Sequence, residues 1–135
     1  MKVLLDTNIV LDLLLEREPY YKEAKEIFLL AEKKYFKAYL SASSITTIYY
    51  LSAKELGKKE ADNIITMLLK MFDITALNKD VFILALNDNG VDFEDSVIYS
   101  SAYKSKIDYI ITRDIKGYKN SKVKVLQPLQ FLEII

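Results

Sequence analysis

Val3-Leu4-Leu5-Asp6-Thr7-Asn8 opens with an apolar run that stops abruptly at a carboxylate. Three consecutive aliphatic residues suit a strand buried on both faces of a parallel sheet. Beyond them, Ile9 to Leu15 is apolar nearly all round apart from Asp12, so the chain turns into a deeply set helix. Strand, polar turn and helix together put Asp6 at the carboxyl end of a strand, the edge where open α/β sheets bind ligands. Asp6 and Asn8 also read simply as helix caps, a place that suits both residue types. Asp12 reads as a surface or turn residue.

The same alternation continues along the chain. Pro19 is placed as the first residue of a helix with Tyr21, Ala24, Ile27, Phe28, Ala31 and Tyr35 at core spacing. Phe36 to Leu40 reads as a strand ending at Ser41. Ser43 or Ser44 then caps a helix that turns Ile45, Ile48, Tyr49, Ser52 and Leu56 inward and stops at Gly57. Lys58 to Met71 is a helix with Ala61, Ile64, Ile65, Leu68 and Leu69 inward, and Phe72 to Leu77 a strand. Asn78 caps a helix to about Asn87, Asp88-Asn89-Gly90 makes a turn, and a helix covers about Phe93 to Ser105. Strands at Asp108 to Thr112 and Val123 to Leu126 precede a terminal helix opened by Pro128. Helices alternating with short apolar strands predict a three-layer α/β/α fold with a central parallel sheet, in a single domain over residues 1–135.

Composition narrows the chemistry. The chain is 51% hydrophobic, enough for a substantial core, and no apolar run approaches the roughly 20 residues that span a bilayer. The start lacks a signal-peptide pattern, so a soluble cytoplasmic protein with no membrane partner is expected. There is no cysteine, which excludes disulfides, thiol nucleophiles and thiolate zinc sites. There is also no histidine, which excludes the Ser-His-Asp triad, histidine bases and His-ligated zinc. Catalysis would have to rest on carboxylates, hydroxyls, Lys, Arg or a metal held by oxygen. Net charge is zero, yet Lys104, Lys106, Arg113, Lys116, Lys119, Lys122 and Lys124 are opposed between positions 103 and 124 only by Asp108 and Asp114. That run reads either as a solvated lysine face or as a phosphate-steering surface, with Lys104, Arg113 and Lys116 the candidate substrate contacts.

Two strand ends are alike: Leu4-Leu5-Asp6-Thr7-Asn8 and Ile110-Ile111-Thr112-Arg113-Asp114. Asp92-Phe93-Glu94-Asp95-Ser96 lies between them at a helix entrance. If the two strands are neighbours, Asp6 and Asp114 share one sheet edge and Asp95 faces the same crevice. Several carboxylates together raise one another's pKa unless a cation neutralises them. Oxygen-only ligands select a hard ion such as Mg²⁺ or Mn²⁺, which drives hydrolysis without a histidine. Each acid has a plainer reading as well. Asp92 fits a helix N-cap with Asp95 as its box-like partner, Glu94 a first-turn acid, Asp114 a cap of the turn towards Tyr118, and Asp88 a turn residue. Thr112 is either the last residue of its strand or a hydroxyl within reach of a metal-bound water.

These motifs, in this order and spacing, resemble the PIN-domain family of metal-dependent nucleases, which includes VapC-type toxins. The anchors are Leu-Leu-Asp6-Thr7-Asn8, the Glu94-Asp95 helix start, Tyr-Ile-Ile-Thr112-Arg113-Asp114 and the ending Val-Leu-Gln-Pro128. The resemblance implies an α/β/α fold, an acidic pocket for Mg²⁺ or Mn²⁺ and hydrolysis of RNA phosphodiesters. It implies Asp6, Asp95 and Asp114 as metal-ligating acids, with Asn8 and Thr112 orienting a ligand or water. It also implies an antitoxin partner and self-association. One position departs: Thr47 stands where the family mostly has a glutamate, and Asp92, one helical turn from Asp95, is the candidate to compensate. The alternatives are a non-catalytic PIN scaffold that binds RNA or protein, and a phosphatase using Asp6 as nucleophile.

Overall fold

A computed structural model describes residues 1–135. Five strands, β1 (Lys2–Leu5), β2 (Lys37–Ser41), β3 (Asp73–Thr75), β4 (Tyr109–Ile111) and β5 (Lys124–Leu126), form one sheet in the order β3-β2-β1-β4-β5. All four pairings are parallel. The chain steps outward from β1 to β2 and β3, then crosses back to β4 and β5. The reversal makes the β1/β4 junction the switch point at which a crevice opens beyond the carboxyl ends of the strands. Leu5 pairs with Ile111, so Asp6 and Thr112 leave the sheet side by side.

Alternation along β1 assigns its side chains to opposite layers. Val3 and Leu5 enter a core with Ile9 and Val10 of α1 (Thr7–Leu14), Ala24, Ile27, Phe28 and Ala31 of α2 (Tyr21–Glu32), and Ile48 of α3 (Ala42–Leu56). Ile64 and Leu68 of α4 (Lys58–Met71) and Phe131 of α7 (Pro128–Ile134) complete that layer. Leu4 instead joins Ile98, Tyr99 and Ala102 of α6 (Phe93–Lys104), with Ile110 and Tyr118. A smaller apolar cluster ties α5 (Lys79–Leu86) to α6 through Val81, Ala85 and Val97. Helices therefore cover both faces, as the expected α/β/α layering requires.

Local differences from the sequence expectation have physical causes. Pro19 lies before α2, whose N-cap is Tyr20. The cap of α3 is Ser41, which accepts from Ser43 N at 3.3 Å, because the strand passes straight into the helix with no intervening turn. Tyr35 falls beyond the end of α2 and is exposed, and Leu69 points to solvent from α4. Gly57 ends α3 as expected, and its φ of +93° is a conformation that a residue with a side chain rarely adopts.

Candidate functional site

Asp6 is the N-cap of α1, with Oδ1 accepting from Thr7 N at 2.8 Å. Capping therefore describes Asp6 correctly, but it engages only one of its two oxygens. Oδ2 accepts from Thr112 Oγ1 at 2.6 Å and from Asn8 Nδ2 at 3.3 Å. The fully buried Thr112 hydroxyl also accepts from Asp114 N at 3.0 Å, so one side chain ties the ends of β1 and β4 together. Asn8 closes the frame, donating to Thr112 Oγ1 at 3.3 Å and accepting from Arg113 N at 3.4 Å.

Asp92 is the N-cap of α6, accepting from Asp95 N at 3.0 Å, and Glu94 is an exposed first-turn acid. Asp114 accepts from Gly117 N at 3.3 Å and so caps the 3₁₀ turn Lys116–Tyr118. That turn carries Gly117 against the acids. A Cβ on Gly117 would collide with Asp95 Oδ2 and lie 2.9 Å from Asp114 Oδ2. The carboxylates of Asp95 and Asp114 thus converge on one glycine, beside the β1/β4 junction that holds Asp6.

The electrostatics agree with that convergence. Asp95 has its pKa pushed up to about 7, first by burial and then by the charges of Asp6, Asp92, Asp114 and Glu94. Burial also raises Asp6, opposed by its hydrogen-bond donors. Four ion pairs form in the molecule, and none involves an acid of this cluster. The donor set is oxygen only, with Asp6 buried, Asp95 half-buried and Asp114 exposed, and no ion pair compensates it, which fits a hard divalent cation. No three acidic side chains already stand as a ready-made ligand set.

The candidate substrate contacts separate. Lys116 is exposed on the 3₁₀ turn bordering Asp114. Lys104 ends α6, nine residues from Asp95, roughly 14 Å away along the helix axis. Arg113 is committed elsewhere: Nε donates to Asp12 Oδ2 at 2.6 Å and Nη2 to Oδ1 at 3.1 Å. Its guanidinium lies 3.7 Å from the centre of the Tyr20 ring. Asp12 is therefore not a surface residue. It has no exposed area, and this forked pair is what makes a carboxylate tolerable inside α1.

A family model for the PIN domain matches residues 2–116. The chain belongs to the PIN-domain family. It is similar to Ribonuclease VapC1 of Aquifex aeolicus (strain VF5), at 26% identity over 137 residues, covering 98% of this chain and 94% of that protein. The PIN fold also aligns with DNA-bound VapBC from Salmonella typhimurium, with a TM-score of 0.73 at 14% identity, covering 95% of this chain and 98% of that one. VapBC2 from Rickettsia felis, bound to a DNA fragment from its promoter, aligns with a TM-score of 0.71 at 18% identity, covering 94% and 98%.

At Thr47, where the resemblance leads one to expect an acid, α3 carries none nearer than Glu55. Ser44, three residues earlier, accepts from Thr7 Oγ1 at 2.7 Å, so hydroxyls line this side of α1. Sequence reasoning passed over Gly117. The available signal was its position three residues after Asp114, within a turn that brings it back against that acid.

Proposed function

We propose that this chain is a divalent-metal-dependent endoribonuclease and the toxin of a toxin–antitoxin pair. The observation that carries this reading is that Asp95 and Asp114 both approach Gly117 beside the β1/β4 junction that holds Asp6, and none of the three has a basic partner. The family membership and the similarity to a ribonuclease support it. Asp6, Asp95 and Asp114 would hold Mg²⁺ or Mn²⁺, with Asp92 the nearest further acid. When bound, the ion supplies Lewis acidity and a water of lowered pKa for attack on a phosphodiester. The chain's own residues do the positioning. Thr112 and Asn8 fix the Asp6 carboxylate, and Thr112 couples it to the backbone that carries Asp114. Lys116 at the rim attracts RNA phosphate, whereas Arg113 locks α1 to the end of β4.

An antitoxin as partner is supported by the VapBC assemblies among the similar structures, and association with a second copy belongs to the same reading. No helix is long and apolar enough to cross a membrane, and the cytoplasm is the proposed compartment. Incubating a structured RNA with the protein and Mn²⁺ tests the activity. Cleavage should stop with a chelator and fall about a hundredfold or more in Asp6→Asn. Equal cleavage by that variant would rule the mechanism out. The uncharged Thr47 favours a second reading, a PIN scaffold that binds RNA without cutting it. Retention of RNA together with failure to take up Mn²⁺ would select it.

A further inference from the structure

All five strands run the same way, so each enters the sheet at the edge opposite the acids. That edge collects lysines. Lys2 and Lys37 open β1 and β2 in register with each other, and Lys124 opens β5 beside Tyr109 of β4. Lys33 and Lys34 follow α2 on the way into β2, and Lys70 stands in the last turn of α4 before β3. Lys104 and Lys106 lead from α6 into β4. A cation in a last helical turn answers the helix dipole, which accounts for Lys70 and Lys104. It does not account for three strands that begin with lysine, a residue depleted from strands.

An open trough runs along this edge. The lining of one stretch includes Met1, Lys34, Tyr35, Lys37, Lys70 and Asp73, and that of the next Met1, Asp108, Tyr109 and Lys124. From β2 to β5 it crosses three strand spacings, roughly 14 Å. Of its three acids, Glu32, Asp73 and Asp108, two are engaged: Asp73 pairs with Lys37 at 3.4 Å, and Asp108 accepts from Lys2 N at 2.8 Å. Lys34, Lys70 and Lys124 have no carboxylate partner. Tyr35 is 64% exposed, and Tyr103 near the end of α6 is 47% exposed with the Lys122 ammonium 5.1 Å from its ring centre. Unpaired lysines set among open aromatic rings suit a ligand with both phosphates and bases. An acidic peptide would use the lysines and leave the rings idle.

We propose that the N-terminal edge of the sheet is a second RNA-binding face, holding the phosphate backbone of a folded RNA while another segment of the same RNA reaches the acids. This rests on the RNA-directed reading above. Four strand rises, roughly 13 Å, separate Lys2 from Asp6 across a sheet covered by helices, so one phosphate cannot meet both edges. The face adds affinity without entering the chemistry, and it favours RNAs large enough to reach from one edge to the other.

The test is binding of a fluorescently labelled RNA stem-loop, read by anisotropy with a chelator present so that no cleavage occurs. One variant combines Lys34→Gln, Lys70→Gln and Lys124→Gln. A control with the same charge change combines Lys22→Gln, Lys25→Gln and Lys59→Gln, on the starts of α2 and α4. All six side chains are exposed, so both triple variants keep the fold. At about 0.1 M salt the edge variant should bind about tenfold or more weakly, with a log–log salt slope shallower by about 2, while the control matches wild type. Equal binding by the edge variant, equal loss in both variants, or no RNA binding by wild type overturns the inference. So does displacement of the RNA by poly-glutamate at equal charge concentration, which would mark a face for acidic protein. Mn²⁺-driven cleavage by wild type keeps the two readings apart. Weakened binding in the edge variant without any cleavage by wild type upholds this face and sinks the nuclease, and cleavage with unaltered binding does the reverse.

Discussion

Asp95 stands half-buried among four other acids, and its pKa near 7 gives the metal-free protein a defined pH response. The folded state holds this proton up to about 7, while the unfolded chain releases it near the ordinary value of 3.8. Folding therefore binds a proton through that window, and stability falls as pH rises across it. The melting temperature of the metal-free protein should drop between about pH 4 and about pH 7 and level off above, and Asp95→Asn should flatten the decline. A wild-type melting temperature that climbs over the same range would contradict the crowding of these carboxylates. Arg113 offers a second test. Its removal strands the buried Asp12 carboxylate, with only Arg17, at 3.9 Å, left to answer it. Arg113→Ala should cost about 3 kcal/mol in urea unfolding, far more than loss of a solvated phosphate contact. Both acids illustrate what a sequence conceals. Asp6 and Asp114 were legible because each follows an apolar strand. Asp12 was not, because the arginine that neutralises it lies 101 positions away and nothing local pairs the two.

The short turn Lys116–Tyr118 shapes the pocket more than its size suggests. Gly117 is buried there because a side chain would meet Asp95 and Asp114. The atoms it would meet are the ends of movable side chains, so Gly117→Ala should displace the acids rather than break the fold. The expected outcome is a melting temperature within a few degrees of wild type alongside a weaker site, read as about tenfold slower RNA cleavage. Undiminished cleavage would place the reacting acids elsewhere. Helices with a clear start were the elements best read from sequence: α4 from Lys58 to Met71, α5 behind its Asn78 cap, and α6 behind Asp92. Strand ends were less legible. The expected strand from Phe72 to Leu77 pairs only over Asp73–Thr75, since register with β2 sets its length. Ser41 caps α3 in preference to Ser43 or Ser44 for a related reason: pairing of β2 with β3 runs through Ser41 itself.

Across the whole molecule, alternation of strand and helix gave the layers, but strand order comes from contacts far apart in sequence. Two strand ends with similar residues suggested neighbours, and β1 does pair with β4, more than a hundred residues later. That pairing brings Asp6 beside Thr112 and makes the site a property of the fold rather than of any segment. The seven basic residues between positions 103 and 124 do not form one phosphate surface around it, because the length of α6 carries Lys104 away from Asp95 while Lys116 stays at the rim. Titrating Mn²⁺ into the protein in a calorimeter, beside Asp95→Asn, tests most directly whether the converging acids form a cation site. Saturable uptake by wild type that is lost in the variant is the predicted result. No uptake by wild type, or equal uptake by both proteins, would contradict it.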